Sequence, residues 1–168
     1  MSANNTDSIL GAEELDAWLE IVSQLSYDNV TQGVGGPFAA VVVKDGEIIG
    51  KGTNRVLADQ DPTAHAEVVA IRDACKKLGS FQIEDCILIT SCEPCPMCLG
   101  AIFWARPKVV YYCNSREDAA SIGFDDNLIY EQIGLTPASR IIPCVAVPYP
   151  KAGKAFSLWK EKTDKTQY

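Results

Sequence analysis

The sequence has little of several features that mark other classes of protein. Its longest uninterrupted apolar run, Phe38–Val43, is far too short to cross a bilayer. The first residues, Met1–Ser8, lack the basic and hydrophobic regions of a secretory signal. The chain also has no internal repeat and no low-complexity tract. We therefore expect a single soluble, cytoplasmic domain over residues 1–168, with no membrane partner.

Basic residues are also scarce. The chain has 15 Lys and Arg against 22 Asp and Glu, which gives a formal net charge of −7. Proteins that bind nucleic acids draw most of their affinity from cations that neutralise phosphates. The lysines near the carboxyl terminus are interrupted by Glu161 and Asp164, so we interpret them as a solvated surface. We do not expect nucleic acid as the main partner.

The chain has seven cysteines, an odd number, and no signal peptide is recognised, so we do not expect a disulfide framework. Cys92, Cys95 and Cys98 lie close together in the sequence. The other four stand singly in apolar or mixed segments, and we interpret them as packed free thiols: they are Cys75, Cys86, Cys113 and Cys144.

Hydrophobic periodicity and turn residues predict alternating helices and strands. The predicted helices are Glu14–Tyr27, Ala64–Lys77, Pro94–Trp104, a short one containing Leu128 and Tyr130, and Phe156–Lys162. The predicted strands are Phe38–Lys44, Glu47–Thr53, Asp85–Thr90, Lys108–Cys113 and Ile141–Val147. Asp45-Gly46 predicts an antiparallel hairpin, and the later strand–helix–strand unit predicts a parallel pair. The class expected is α/β, with a mixed five-stranded sheet and helices on its faces.

One histidine and two cysteines form the pattern of a zinc site. His65, the only histidine, begins the second predicted helix, and Cys95 and Cys98 open the third on a shared face. A helix N-terminus favours thiolates because its unpaired N–H groups and its dipole stabilise negative charge. Two thiolates and one imidazole make a three-ligand zinc site with an open position for water.

Glu67, two residues after the histidine, is the predicted general base beside this zinc site. Two thiolates cancel the charge of the ion, so the metal alone activates water only moderately and a base is useful. The pattern H-x-E followed by P-C-x-x-C is the signature of zinc deaminases, and both halves occur here in that order.

A second interpretation of the same residues stays open. Cys92, Cys95 and Cys98 together with His65 would close a four-ligand site whose zinc is purely structural. Glu67 would then be an acid favoured by the helix dipole. In that case the chain is a non-catalytic interaction domain stabilised by zinc.

Three segments of the chain resemble the bacterial guanine deaminases of the cytidine/deoxycytidylate deaminase superfamily: Gly35–Val41, Asp61–Glu67 and Thr90–Cys98. The Gly-Phe-Asp-Asp run at residues 123–126 and the terminal Tyr168 fit the same subgroup. The resemblance implies the cytidine-deaminase fold, a three-layer α/β/α arrangement. It also implies a homodimer, with the tail from about residue 150 swapped between subunits.

The same resemblance implies a zinc-dependent aminohydrolase of purine catabolism or salvage. The reaction would be hydrolytic deamination of guanine to xanthine and ammonia. Guanosine is an alternative substrate, because plant guanosine deaminases look similar at the same positions. A tRNA adenosine deaminase is a further alternative that shares the zinc motifs.

The resemblance also implies substrate contacts. Phe38 and Phe124 would line the slot for the purine ring, although either could be a core residue. Asn54 would hydrogen-bond the ring, and Asp126 would accept hydrogen bonds from the edge of guanine. Without the resemblance, Asn54 reads as a turn residue at a strand end, and Asp126 reads as a helix cap.

The expected mechanism uses zinc-activated water and a glutamate proton shuttle. Glu67 would take a proton from the water and deliver protons to the ring nitrogen and the departing amine. Backbone N–H groups near Ala66 and Cys95, at two helix starts, would meet the developing negative charge. Tyr168 would reach a substrate in its own subunit or in a partner's.

Overall fold

The computed structural model describes residues 9–167. By its internal contacts the chain divides into two compact units, Met1–Asp126 and Asn127–Tyr168. Each unit is described by itself below.

The first unit contains five helices and four strands among its described residues. The helices are α1 (Ala12–Thr31), α2 (Val56–Asp59), α3 (Ala66–Leu78), α4 (Pro96–Ala105) and α5 (Arg116–Ser121). The strands are β1 (Ala39–Lys44), β2 (Glu47–Thr53), β3 (Ile87–Cys92) and β4 (Val109–Asn114).

The strands form one mixed sheet in the order β2-β1-β3-β4. Strand β1 runs antiparallel to both β2 and β3, whereas β3 and β4 are parallel. Both predicted pairings are confirmed. Asp45 and Gly46 join β1 to β2 with φ angles of 50° and 79°, the left-handed conformation that a two-residue hairpin turn of this kind requires.

Helices cover both faces of the sheet, which gives the expected three layers. Ala40 and Val42 of β1 pack in a buried cluster with residues of α3 and α4. Val41 and Val43 point to the opposite face and pack in a second cluster with residues of α1. Alternate side chains of a strand point to opposite faces. A strand covered on both faces therefore reads as a continuous apolar run, as β1 does.

Two glycines let α3 lie directly against β2. A Cβ on Gly52 would be 2.2 Å from the carbonyl oxygen of Ala66 and 2.5 Å from the amide nitrogen of Ala70. A Cβ on Gly50 would be 2.4 Å from the carbonyl oxygen of Ala70. Any side chain at these positions would push α3, and the residues at its N-terminus, away from the sheet.

The second unit contains α6 (Asn127–Ile133), α7 (Gly153–Glu161) and two short 3₁₀ turns. None of its described residues is buried. Its large apolar side chains are exposed instead, among them Ile133, Ile141, Ile142, Val145, Val147, Tyr149, Phe156, Leu158 and Trp159.

No helix among residues 9–167, in either unit, is long and apolar enough to cross a bilayer.

The fifth predicted strand, Ile141–Val147, does not form, so the sheet has four strands and not five. The backbone N–H of Ile141 donates to the side chain of Gln132, and that of Cys144 donates to the carbonyl of Pro137. These two backbone N–H groups therefore already have local acceptors and are not available to pair with a neighbouring strand. Pro143, in the middle of the segment, has no N–H to contribute.

Candidate active site

Two helices of the first unit begin at the same place. His65 is the N-cap of α3 and Cys95 is the N-cap of α4, and both have extended backbone conformations. Pro96 occupies the first turn of α4, where its missing N–H costs nothing. The first N–H groups of a helix lack intrahelical acceptors. Two positive helix ends therefore face this site, and Ala66 is the first residue of one of them.

The three predicted metal ligands lie together. The Sγ atoms of Cys95 and Cys98 are each 3.6 Å from Nδ1 of His65, and all three ligand atoms lie within 4.8 Å of one another. Tetrahedral zinc with Zn–S bonds of about 2.3 Å and Zn–N bonds of about 2.0 Å requires a sulfur–nitrogen separation of about 3.6 Å. These residues therefore fit a zinc ion, and no other such cluster occurs among the described residues.

Cys92 does not join this cluster. Its thiol donates to the carbonyl oxygen of Ser115 at 3.5 Å, and burial raises its pKa to about 11. Its Sγ is not among the ligand atoms of His65, Cys95 and Cys98 that lie within 4.8 Å of one another. The structure therefore favours the open three-ligand arrangement over the closed four-ligand one.

The remaining cysteines are free, but only some of them are packed. Cys86 is buried and Cys75 is half-buried, as expected. Cys113 and Cys144 are exposed, so the interpretation of these two as packed thiols is wrong. Cys113 lies in the exposed second half of β4, and Cys144 lies in the second unit, where none of the described side chains is buried.

Glu67 is buried beside the ligand cluster. The thiol of Cys98 donates to Oε2 of Glu67 at 3.4 Å. Burial raises the pKa of Glu67, since a desolvated carboxylate is less stable than one in water. A carboxyl group whose pKa is raised in this way holds a proton more readily near neutral pH, which suits a proton shuttle.

The ligand residues influence one another's protonation before any metal binds. A hydrogen bond from Cys98, followed by one from His65, lowers the pKa of Cys95 to about 4. The same hydrogen bond raises the pKa of Cys98. The Cys95 partner raises the pKa of His65.

The two residues predicted to line the slot for the purine ring form a pair. The rings of Phe38 and Phe124 meet edge to face, with centroids 4.9 Å apart and planes at 88°. The backbone of Gly36 lies against both, because a Cβ there would be 3.0 Å from Cζ of Phe124 and 3.3 Å from Cδ2 of Phe38. Phe124 remains 46% exposed, so part of its ring stays free for a ligand.

Asn54 is buried immediately after β2. Its backbone N–H donates to the carbonyl of Phe38 at 2.9 Å, and its Oδ1 accepts from the N–H of Val56 at 3.4 Å. No described residue accepts a hydrogen bond from its Nδ2 group. A buried amide with an unused donor is available to a ligand.

Asp126 is half-buried, and burial raises the pKa of its carboxyl group. The charges of Arg116 and Cys95 also act on that pKa, in opposite directions. Asp126 thus lies within electrostatic range of a ligand cysteine. Tyr168, the last predicted substrate contact, lies outside the described residues.

Sequence reasoning missed two polar residues, near the ends of β3 and β4, whose hydrogen bonds fix the backbone that leads to Cys95. Strands β1 and β3 pair as far as Ala40–Thr90. Beyond that point the buried hydroxyl of Ser91 accepts from the N–H of Ala39 at 3.0 Å. Asn114 donates from its side chain to the carbonyl of Ser91 at 2.6 Å. The only sequence signal is that polar residues end two apolar strands.

Comparison with known proteins agrees with this geometry. Residues 12–114 match the family model described as the cytidine and deoxycytidylate deaminase zinc-binding region. The chain belongs to the cytidine and deoxycytidylate deaminase family. The histidine, glutamate and two cysteines discussed above all lie within the matched region.

Members of this family with named activities are similar over different lengths. The guanine deaminase of Bacillus subtilis (strain 168) is 51% identical over 153 residues, which cover 91% of this chain and 98% of the relative. The X-ray structure of guanine deaminase from Bacillus subtilis has a TM-score of 0.89 and 50% identity, covering 95% of this chain and 99% of that one. The guanine deaminase of Nitrosomonas europaea has a TM-score of 0.64 at 36% identity, covering 73% and 70% of the two chains.

A tRNA-specific adenosine deaminase from Aquifex aeolicus is 45% identical over 76 residues, which cover only 45% of this chain and 50% of the relative. The guanine deaminase from Bacillus subtilis is similar over nearly the whole chain. The comparisons confirm the resemblance to guanine deaminases, the expected α/β fold and zinc as the cofactor.

Proposed function

We propose that this protein is a zinc-dependent guanine deaminase that hydrolyses guanine to xanthine and ammonia. The observation that carries the proposal is the convergence of the His65, Cys95 and Cys98 ligand atoms next to the buried carboxyl group of Glu67. The 51% identity to a guanine deaminase over 91% of this chain supports guanine as the substrate.

His65, Cys95 and Cys98 would hold the zinc ion, and their separations fit its tetrahedral bonds. Bound zinc supplies a water of lowered pKa, and so a nucleophile at neutral pH. Glu67 would accept a proton from the attacking water as the bond to C2 of guanine forms. It would pass that proton to the ring nitrogen and then carry the second proton, from the new hydroxyl on C2, to the departing amine. The C–N bond breaks as the C2 carbonyl forms, so that one water is consumed and one ammonia is released.

The substrate pocket would use the predicted residues in separate roles. The Phe38–Phe124 pair would pack against the purine ring, and the free Nδ2 donor of Asn54 would reach an acceptor on it. The carboxylate of Asp126 would accept from the N–H groups on the edge of guanine. The N–H groups at the start of α3, near Ala66, would stabilise negative charge that develops on the ring.

The proposal is tested by ammonia release from guanine, guanosine, adenine, adenosine, cytosine and cytidine, with the zinc content of the same sample. We expect turnover of guanine and about one zinc per chain. Preference for guanosine would keep the chemistry but require a pocket that admits ribose. Full zinc occupancy without release of ammonia from any of the six would contradict the proposal.

We also propose a cytoplasmic homodimer whose tail, from about residue 150, is swapped between subunits and brings Tyr168 to the partner's site. The exposed apolar side chains of the second unit support a partner, as does α4, which exposes Leu99 and Phe103 in the first unit. Free thiols throughout the described chain suit a reducing compartment.

The swap is tested by mixing two defective chains, Glu67→Gln and a chain shortened by Tyr168. In a swapped mixed dimer, one site contains both defects and the other contains neither. Mixing is therefore expected to restore guanine deamination that neither chain shows alone. Mixed dimers that form, as judged by mass in solution, and stay inactive would show that each tail serves its own site.

A further inference from the structure

We infer that Asn29, on α1, is a positioning residue that fixes the purine pocket through the backbone of Asn54. The inference rests on the proposed function, because it assigns a task to a residue that contacts the pocket wall and not the substrate. Asn29 is one of only two buried residues described in α1, the other being Val22.

The amide of Asn29 uses both of its N–H groups on main-chain carbonyls. Nδ2 donates to the carbonyl oxygen of Gly36 at 2.8 Å and to that of Asn54 at 3.0 Å. The backbone carbonyl of Asn29 accepts from the N–H of Val34 at 3.0 Å. Asparagine is a poor helix former, and burying its amide costs free energy unless it is paired. Its place in this helix is therefore explained by what it binds.

The two carbonyls belong to the two segments that carry the predicted purine contacts. Gly36 lies against the rings of both Phe38 and Phe124, and Asn54 offers the unused amide donor. Gly35 packs against Asn54, since a Cβ on Gly35 would be 2.3 Å from the carbonyl oxygen of Asn54 and 2.9 Å from its Oδ1. Asn29 thus joins the glycine-rich loop to the end of β2 at one point.

This arrangement makes the orientation of the Asn54 side chain depend on Asn29. The main chain of Asn54 is held on one side by its N–H bond to Phe38 and on the other by the bond from Asn29. If the second bond is lost, the carbonyl of Asn54 is buried without that donor, and the main chain that carries the side chain loses one of its restraints. The side-chain donor then no longer points reliably at the ring.

A double-mutant cycle tests the inference with Asn29→Leu, Asn54→Ala and the pair. In the wild-type background, Asn29→Leu is expected to raise KM for guanine about tenfold with kcat changed less than about threefold, since one lost buried hydrogen bond has that magnitude. In the Asn54→Ala background, the same change should raise KM less than about threefold, because coupled residues are not additive. Where turnover is too low for KM to be measured, the dissociation constant for hypoxanthine replaces it. Hypoxanthine lacks the leaving amine and is therefore bound without being deaminated, so the effect of Asn29→Leu can still be compared between the two backgrounds.

The control is Gln24→Leu, which removes an exposed amide from the same helix and is expected to leave KM unchanged. An equal effect of Asn29→Leu in both backgrounds would overturn the inference. Loss of zinc or of folded protein in both Asn29→Leu and Asn29→Ala would do so as well, because it would assign Asn29 to the fold as a whole. A wild-type protein that neither binds nor turns over a purine would overturn the proposed function itself, and this inference with it.

Discussion

Replacing Glu67 with glutamine is expected to lower kcat for guanine by at least about a thousandfold while zinc stays bound. The substitution keeps the size of the side chain but removes the group that takes up and returns protons. The ligand atoms of His65, Cys95 and Cys98 are untouched, so about one zinc per chain should remain. Steady-state kinetics and metal analysis of the same sample measure both quantities.

The control is Asp73→Asn, the equivalent change on the outer part of the same helix. Asp73 bonds to Lys51 and Lys77 and lies more than two helical turns beyond His65. Its replacement should leave kcat within about twofold of the wild-type value, as for surface changes in general. A Glu67→Gln enzyme with near-normal kcat would mean that another group moves the protons.

Replacing Cys98 with alanine is expected to remove both zinc and detectable activity. Cys98 is fully buried and its sulfur is one of only three ligand atoms in the cluster. Two remaining ligands bind zinc much more weakly than three, and an enzyme without the metal lacks the nucleophile. Zinc content after dialysis and ammonia release from guanine give the result directly.

Cys92→Ala is the matched comparison, because it removes another buried thiol six residues earlier in the same segment. If the site has three protein ligands, this variant keeps about one zinc and most of its activity. Loss of zinc from Cys92→Ala would instead support the closed four-ligand site and a structural metal. The pair of variants therefore decides between the two interpretations that the sequence left open.

The ligand cluster was predictable because each part has a local signature. His65 and Glu67 stand at a helix start, and Cys95 and Cys98 have the spacing that puts two side chains on one helix face. The helix boundaries were predicted less accurately. Helix α4 begins at Pro96 and not at Pro94, because Cys95 takes the extended conformation of an N-cap.

Other features depend on contacts that no local pattern contains. Asn29 lies beyond Tyr27, the predicted end of the first helix, and only the folded chain shows that its amide meets the carbonyl of Asn54, 25 positions away. Phe38 and Phe124 meet across an even longer separation. Periodicity also suggested a strand at Ile141–Val147, but a strand requires a partner, and this segment pairs with none of the described strands.

Two short helices were missed for different reasons. Helix α5 follows a capping box between Ser115 and Asp118, a pattern that is visible in the sequence. Helix α2 is a single turn, Val56–Asp59, followed by Gln60 in the left-handed conformation. Four residues are too few to show a helical period, so its absence from the prediction was unavoidable.

The ligands of the metal come from two parts of the chain, since His65 and Cys95 are 30 positions apart. A bound ion therefore acts as a reversible crosslink in the folded chain, and because the unfolded chain does not hold the three ligands together, the free energy of binding adds to that of folding. Ligands that bind only the folded state also stabilise it in proportion to the logarithm of their free concentration. The supply of zinc in the cell would thus govern how many copies survive unfolding and proteolysis, besides how many can react.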